Sequence, residues 1–187
     1  DIDVDLAGAK ELFLVVTDGG NGFACDWADW AEPRFLRADG SEIRLTELEW
    51  KSAQAGFRAP AVNANVGGQA LRSGGAALVY GLGTHANSTI AYNVPTDAKR
   101  FKARGVLDEG GTKQQDGKAT SVQFRVYSSD PGPIAPSAEG GAASHEPADA
   151  VAQMVVHPEL TVQLFASEPM MLSPASIDID HRGRVWV

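Results

Sequence analysis

The sequence predicts an all-β protein, a β-sandwich of jelly-roll type followed by a short C-terminal β segment. Three observations carry this. Apolar and polar residues alternate, with the period of a half-buried strand, over residues 1–6, 90–94, 100–107 and 121–127. Twenty glycines and ten prolines punctuate these runs, as expected of many short strands joined by turns. Few stretches keep the period of an amphipathic helix.

In chain order, residues 1–6 set Ile2, Val4 and Leu6 against Asp1, Asp3 and Asp5, a strand with one exposed face. Residues 9–17, AKELFLVVT, are almost continuously apolar, which suits a central strand buried on both sides. Residues 18–26 form a turn-rich loop, residues 27–30 an aromatic-acidic knot, and residues 32–36 return to strand. Asp39-Gly40 marks a hairpin between residues 35–36 and 43–45. A short strand carrying Trp50 is expected over residues 48–52. Residues 53–75 are polar and glycine-rich, and ordered loops of that length usually bind something.

The organising stretch is residues 81–92, GLGTHANSTIAY. Gly81 and Gly83 allow a bend or a close backbone approach, and Ile90, Tyr92 and Val94 then share one strand face. The stretch also fits the loose dinucleotide-binding pattern G-x-G-x-x-A. That reading fails, because an alternating strand ending at Pro95 stands where the phosphate-binding helix is required. Arg100 to Leu107 turns Phe101, Ala103 and Leu107 inward, a polar loop covers residues 108–118, and residues 121–127 turn Val122, Phe124 and Val126 inward. Residues 128–150 are rich in Pro, Gly, Ala and Ser and read as a linker, extended at its start by Pro131, Pro133 and Pro136. Strand patterns return at 160–166, 176–180 and 184–187, with a tight turn at His181-Arg182-Gly183. The expected domain limits are thus 1–129, a linker at 130–152, and 153–187.

Charge narrows the partners. Sixteen Lys and Arg against 24 Asp and Glu give a net charge of −8, which repels nucleic acid and anionic membranes. A neutral or cationic ligand suits such a surface. The single cysteine, Cys25, allows no intrachain disulfide and reads as a small buried filler. No apolar run approaches the ~20 residues of a membrane span. The chain begins at Asp1 and ends at Val187 within a strand pattern, so it is expected to be part of a longer protein.

Taken together, these segments resemble the NPCBM family of carbohydrate-binding modules found beside glycoside hydrolases. The family signature G-[IL]-G-T-H-A-x-S-x-I-x-Y stands at residues 81–92. Its R-F-x-A-x-x-G-x-D strand stands at 100–108, with Gly105-Val106 shifted by one place, and its V-x-F-x-V-Y strand at 122–127. Its V-D-L-x-G-A-K segment, running on to D-x-A-D-W-A, stands at 4–31. The resemblance covers residues 1–129 of 187. In the family the V-D-L segment usually closes the domain, whereas here it comes first. Either the domain is circularly permuted, so that residues 4–34 supply strands to the same sandwich, or those residues end a preceding module. Permutation is the expectation, because the remaining strands would otherwise leave an apolar face and an open edge. Residues 157–187 are similar to the opening of a β-propeller of planctomycete membrane-bound-dehydrogenase type.

The resemblance implies a galactose-binding-like sandwich that binds carbohydrate without catalysis, in a secreted or periplasmic parent enzyme. Glycans are the expected ligands, with galactose-type sugars one class among them. Two other roles are a spacer or protein-docking sandwich, and an accessory domain of a sugar-dehydrogenase-like, cytochrome-linked enzyme. His85 and Asn87 supply the fixed donors and acceptors a hydroxyl-rich ligand needs, with a buried, backbone-bonded His85 as the alternative. Trp27 and Phe57 are candidate platforms for a sugar's C–H face, while Trp30 and Trp50 read as core. Trp27 stands where the family has histidine, and Phe57 where it often has Trp. Asp29 joins the ligand set, as do Asn63 and Asn65, which equally suit turn-holding. Asp18-Gly19-Gly20-Asn21-Gly22 fails as an EF-hand, since position three is Gly20 and no Glu follows at twelve. A structural calcium as in related modules would use Asp18, Asp26, Asp108 and Glu109. Asp26 and Asp29 form no convincing glycosidase pair without a deep cleft.

Overall fold

Two antiparallel sheets pack face to face in the computed structural model, which describes residues 1–114, 120–134, 178–179, 182 and 185–186. The strands of the first compact unit are β1 (Ile2–Asp5), β2 (Glu11–Thr17), β3 (Trp27–Arg37), β4 (Glu42–Arg44), β5 (Ser52–Ala55), β6 (Ala61–Val62), β7 (Arg72–Ser73), β8 (Ala76–Ala77), β9 (Gly81–His85), β10 (Ser88–Asn93), β11 (Ala98–Leu107) and β12 (Gln123–Tyr127). One sheet runs β1-β11-β3-β9-β6, with β4 also on β3, and the other runs β12-β2-β10-β5. The jelly-roll-type all-β expectation thus holds as an all-β sandwich.

The N-terminal strands belong to this sandwich. The apolar β2 lies between β12 and β10, and β3 lies between β11 and β9. Leu12, Leu14 and Val16 of β2 meet Trp30, Phe35, Leu82, Ile90, Tyr92 and Phe101 in one core. Trp30 is fully buried and packs edge-on against Phe101 and Phe124 at 6.3 and 5.0 Å. Burying side chains of this size contributes roughly 1.5–3 kcal/mol each. The inward residues of β12 (Phe124 and Val126) and Val122 just before it pack on this core as expected.

Several segments differ from expectation. Residues 27–30 form no knot but open the long strand β3, because Ala28 and Trp30 complete the inward-facing set. Glu32 and Pro33 interrupt its pairing with β11 as a bulge, which accommodates a proline that cannot donate to the ladder. The strand expected at 48–52 falls instead at β5, and Trp50 is only partly buried against the core. The long loop of residues 53–75 holds β5, β6 and β7. The polar loop after β11 begins with a one-turn helix, α1 (Glu109–Thr112), capped by the Asp108 carboxylate, which accepts from the Gly110 N–H at 2.7 Å. Cys25 is half-buried rather than buried.

The second compact unit spans residues 142–187, so the units divide inside the predicted linker. Its described strands, β13 (Asp178–Ile179) and β14 (Val185–Trp186), pair antiparallel around the turn at Arg182. The strand expected at 160–166 lies outside the described residues. No helix among the described residues is long and apolar enough to cross a membrane.

Candidate ligand-binding site

The site forms where β9 turns into β10. A Cβ on Gly81 would stand 2.6 Å from the Trp30 carbonyl, so the bare backbone lets β9 press between β3 and β6. That close approach sets His85 opposite Trp27. His85 is 4% exposed, and its Nδ1–H donates to the Ala86 carbonyl at 2.6 Å. Burial lowers its pKa below the ordinary histidine range. The ring is therefore neutral near pH 7 and, with the proton on Nδ1, its Nε2 is an acceptor. This is the backbone-bonded histidine left open by the sequence, but with aromatic company. Phe23 and Phe57 meet the ring edge-on at 6.2 and 5.4 Å. Phe57 is 44% exposed, with the Arg58 guanidinium 5.2 Å above its ring.

Beside this aromatic group is a cavity of about 340 Å³, lined among others by Phe23, Gln54, Gly56, Asn87, Thr89 and Ile134. A Cβ on Gly56 would stand 2.8 Å from the Ala86 carbonyl, so the segment carrying Phe57 packs directly on the turn. Asn87 is held in place: its Oδ1 accepts from the Asp18 N–H at 2.9 Å and its Nδ2 donates to the Asp18 carboxylate at 3.4 Å. Sequence reasoning brought His85, Asn87 and Phe57 to one place. It missed Phe23, Gln54 and Thr89. Gln54 and Thr89 come together only through the β5–β10 register, which no local pattern encodes.

The other candidates are placed differently. Trp27 is half-buried, with its ring wedged against Gly67 and Gly110, whose added Cβ atoms would lie 2.9 and 2.5 Å from it. It is packing between two loops, not an open platform. Asn63 Oδ1 accepts from the Gly81 N–H at 3.0 Å, which holds a turn. Asn65 is buried, donates to Asp108 at 2.9 Å, and accepts from the Gly67 and Gln69 N–H groups. Asp29 is fully buried and so is not a ligand contact. Burial first, and then the neighbouring Asp108 carboxylate, push its carboxyl up to about 9. Neither Asp29 oxygen has a hydrogen-bond partner among the described residues, so the group is held neutral by burial rather than by a partner.

The four proposed calcium ligands do not form one site. Asp108 accepts from Asn65, the Arg72 N–H and the Gly110 N–H, and Glu109 from Lys113 and the Gly75 N–H. The Lys113 bond and then the Gly75 bond hold Glu109 below the usual carboxylate range. Oxygens engaged by these donors do not fit a cation. Asp18 and Asp26 are near each other instead. Burial raises Asp26 to about 7, against the Ser121 N–H bond at 2.8 Å, and the Asp18 charge adds to the rise. Two carboxylates fall short of the 6–8 oxygens calcium takes. Among the described residues, no three His, Cys, Asp or Glu side chains gather as a metal-ligand group.

Comparison with known proteins gives two family matches. The NPCBM/NEW2 domain matches residues 1–36 and 41–152. A domain of unknown function (DUF7133) matches residues 146–187. No curated protein and no solved structure matches the chain.

Proposed function

The chain belongs to the NPCBM/NEW2 domain family, and from that premise we propose that it is a non-catalytic carbohydrate-binding domain of a larger secreted or periplasmic enzyme. The observation that carries the reading is the exposed Phe57 ring edge-on to His85, next to the cavity that Asn87 lines. A sugar's C–H face would lie on Phe57, burying apolar area without stranding hydroxyls. Gln54 and Thr89, which line the cavity, would offer both donors and acceptors to sugar hydroxyls, while the buried His85 backs the Phe57 ring. Galactose-type sugars are the first class to try. Affinity of a single site is weak, because each exchanged hydrogen bond contributes only about 0.5–1.5 kcal/mol net. The parent enzyme would be a dehydrogenase-like β-propeller protein continuing from residues 146–187.

The test is a glycan array probed with the whole chain, with calcium and then with chelator. Binding to a defined set that Phe57→Ala abolishes and Val79→Ala keeps supports the reading, Val79 being an exposed apolar control. Binding lost on adding chelator would show that a cation takes part in holding the glycan. Silence on the array from folded protein would overturn the reading in favour of a docking or spacer role.

A further inference from the structure

The outer face of the four-stranded sheet holds two buried apolar side chains. Leu12, Leu14 and Val16 of β2 point into the core, so Phe13 and Val15 point outward, yet they are 5% and 0% exposed. The registers place Arg125, Val15, Thr89 and Gln54 in one row across β12, β2, β10 and β5. Val15 and Thr89 are the middle of that row. The cavity beside Asn87 is lined by Gln54 and Thr89, from one end of the row. A second cavity, of about 390 Å³, is lined by Arg125 and Gln123 from the other end, with Thr17 and Asp18. Pro133 and Ile134 line both cavities.

The local sequence explains how the chain returns there. β12 ends at Tyr127, and the Asp130 carboxylate then accepts from the Gly132 N–H at 2.8 Å. Gly132 has φ of 74°, which glycine adopts at little cost. The predicted extended course through Pro131 and Pro133 is therefore broken by a turn that doubles the chain back on the sheet. After the turn, Pro133 is exposed and Ile134 half-buried, so Ile134 is the residue that faces the sheet.

We infer that the chain's own Pro133–Ile134 segment is the resident occupant of the outer sheet face, seated over the Val15–Thr89 row so that it divides one groove into two cavities. It forms one wall of the candidate ligand cavity. A ligand larger than a single sugar ring would extend along the groove only by lifting this strap. Ligand and strap then compete. The seat stands on the geometry alone, whereas the competition rests on the carbohydrate reading.

Methyl NMR on the whole chain tests both. The seat predicts cross-relaxation between the Ile134 methyls and those of Val15 and Thr89, with shift changes at Val15 and Thr89 but not at Leu45 in Ile134→Ala. Ile134 methyls at random-coil shifts with no such contacts would overturn it. An independent probe is 1-anilino-8-naphthalenesulfonate, whose fluorescence should rise in Ile134→Asp as Val15 is uncovered, and unchanged fluorescence counts against the seat. For competition, a galactose oligosaccharide should bind Ile134→Asp several-fold more tightly, because a seated strap lowers the apparent affinity of the intact chain by the fraction of molecules in which the groove is open. Equal affinities would overturn competition. Binding to neither protein would overturn the galactose reading and, with it, the competition, while the methyl contacts still decide the seat.

Discussion

Asp29 makes a quantitative prediction about pH. Its carboxyl is fully buried in β3 and held protonated up to about 9, against an ordinary value of 3.8. The sign follows from proton counting. Above the unfolded value the unfolded chain releases this proton, while the native state keeps it. Stability from this group is therefore present below about pH 4 and declines as pH rises toward about 9. The decline is on the order of 1 kcal/mol per pH unit, so a few kcal/mol between about pH 5 and about pH 7. Asp29→Asn removes the titration while keeping the shape and the neutrality of the protonated carboxyl. Urea unfolding over that range should show a flatter pH dependence in the variant by close to one proton, with the urea dependence unchanged. Near neutral pH the variant should be the more stable protein by an amount approaching ~4 kcal/mol. Asp26, raised to about 7, adds a similar slope to both proteins and cancels in the comparison. Parallel pH profiles would refute the argument, because they would show that Asp29 is ionised in the folded protein.

Gly81→Ala should destabilise by about 1–3 kcal/mol, since the new methyl meets the Trp30 backbone carbonyl, which cannot swing aside. Thermal unfolding checks this, and a change near zero would mean that β9 does not sit this close to β3. Asn65→Ala should cost roughly 2–3 kcal/mol, as it leaves Asp108 short of a donor and two loop N–H groups without their acceptor. Hydrogen exchange should show the loss at the Gly67 and Gln69 amides first, and unchanged exchange there would contradict the assignment.

The sandwich was legible because its strands carry their own periods. Val122, Phe124 and Val126 announce one face of β12 without reference to any partner, and β2 announces its central place by being apolar on both faces. Residues 27–30 were misread because Asp29 breaks the alternation with a buried carboxyl, whose neighbour Asp108 is distant in sequence. The same holds for the site. His85, Asn87 and Phe57 stand out by residue type, but Trp27, Asn63 and Asn65 stand out equally and turn out to hold loops together, and Asp29 is buried within β3. Only the β3–β9 and β5–β10 registers separate the two groups, and register is a long-range property. The four acidic residues expected to share a calcium do not gather, for a related reason. Acidic residues are easy to see in a sequence, but the N–H groups that engage Asp108 and Glu109 are not.

Thr84 and Ser88 bracket the His85–Asn87 turn and are 1% and 2% exposed. Neither hydroxyl has a hydrogen-bond partner among the described residues. Thr84 shares the inward side of β9 with Leu82, and Ser88 that of β10 with Ile90, so both hydroxyls enter the end of the core beneath the candidate site. A stranded buried hydroxyl costs about 1–3 kcal/mol, whereas an apolar group of the same shape carries no such cost. Thr84→Val should therefore raise stability by about 1 kcal/mol in chemical unfolding. If it instead lowers stability by a similar amount, the hydroxyl has a partner, and a buried water shared with Ser88 is the candidate, since such waters need two or more polar groups. A double-mutant cycle with Ser88→Ala separates the cases. Additive gains mean two idle hydroxyls, and a coupling of about 0.5 kcal/mol or more means one shared water. Idle hydroxyls would mark this turn as a place where stability has been given up for the shape of the site above it.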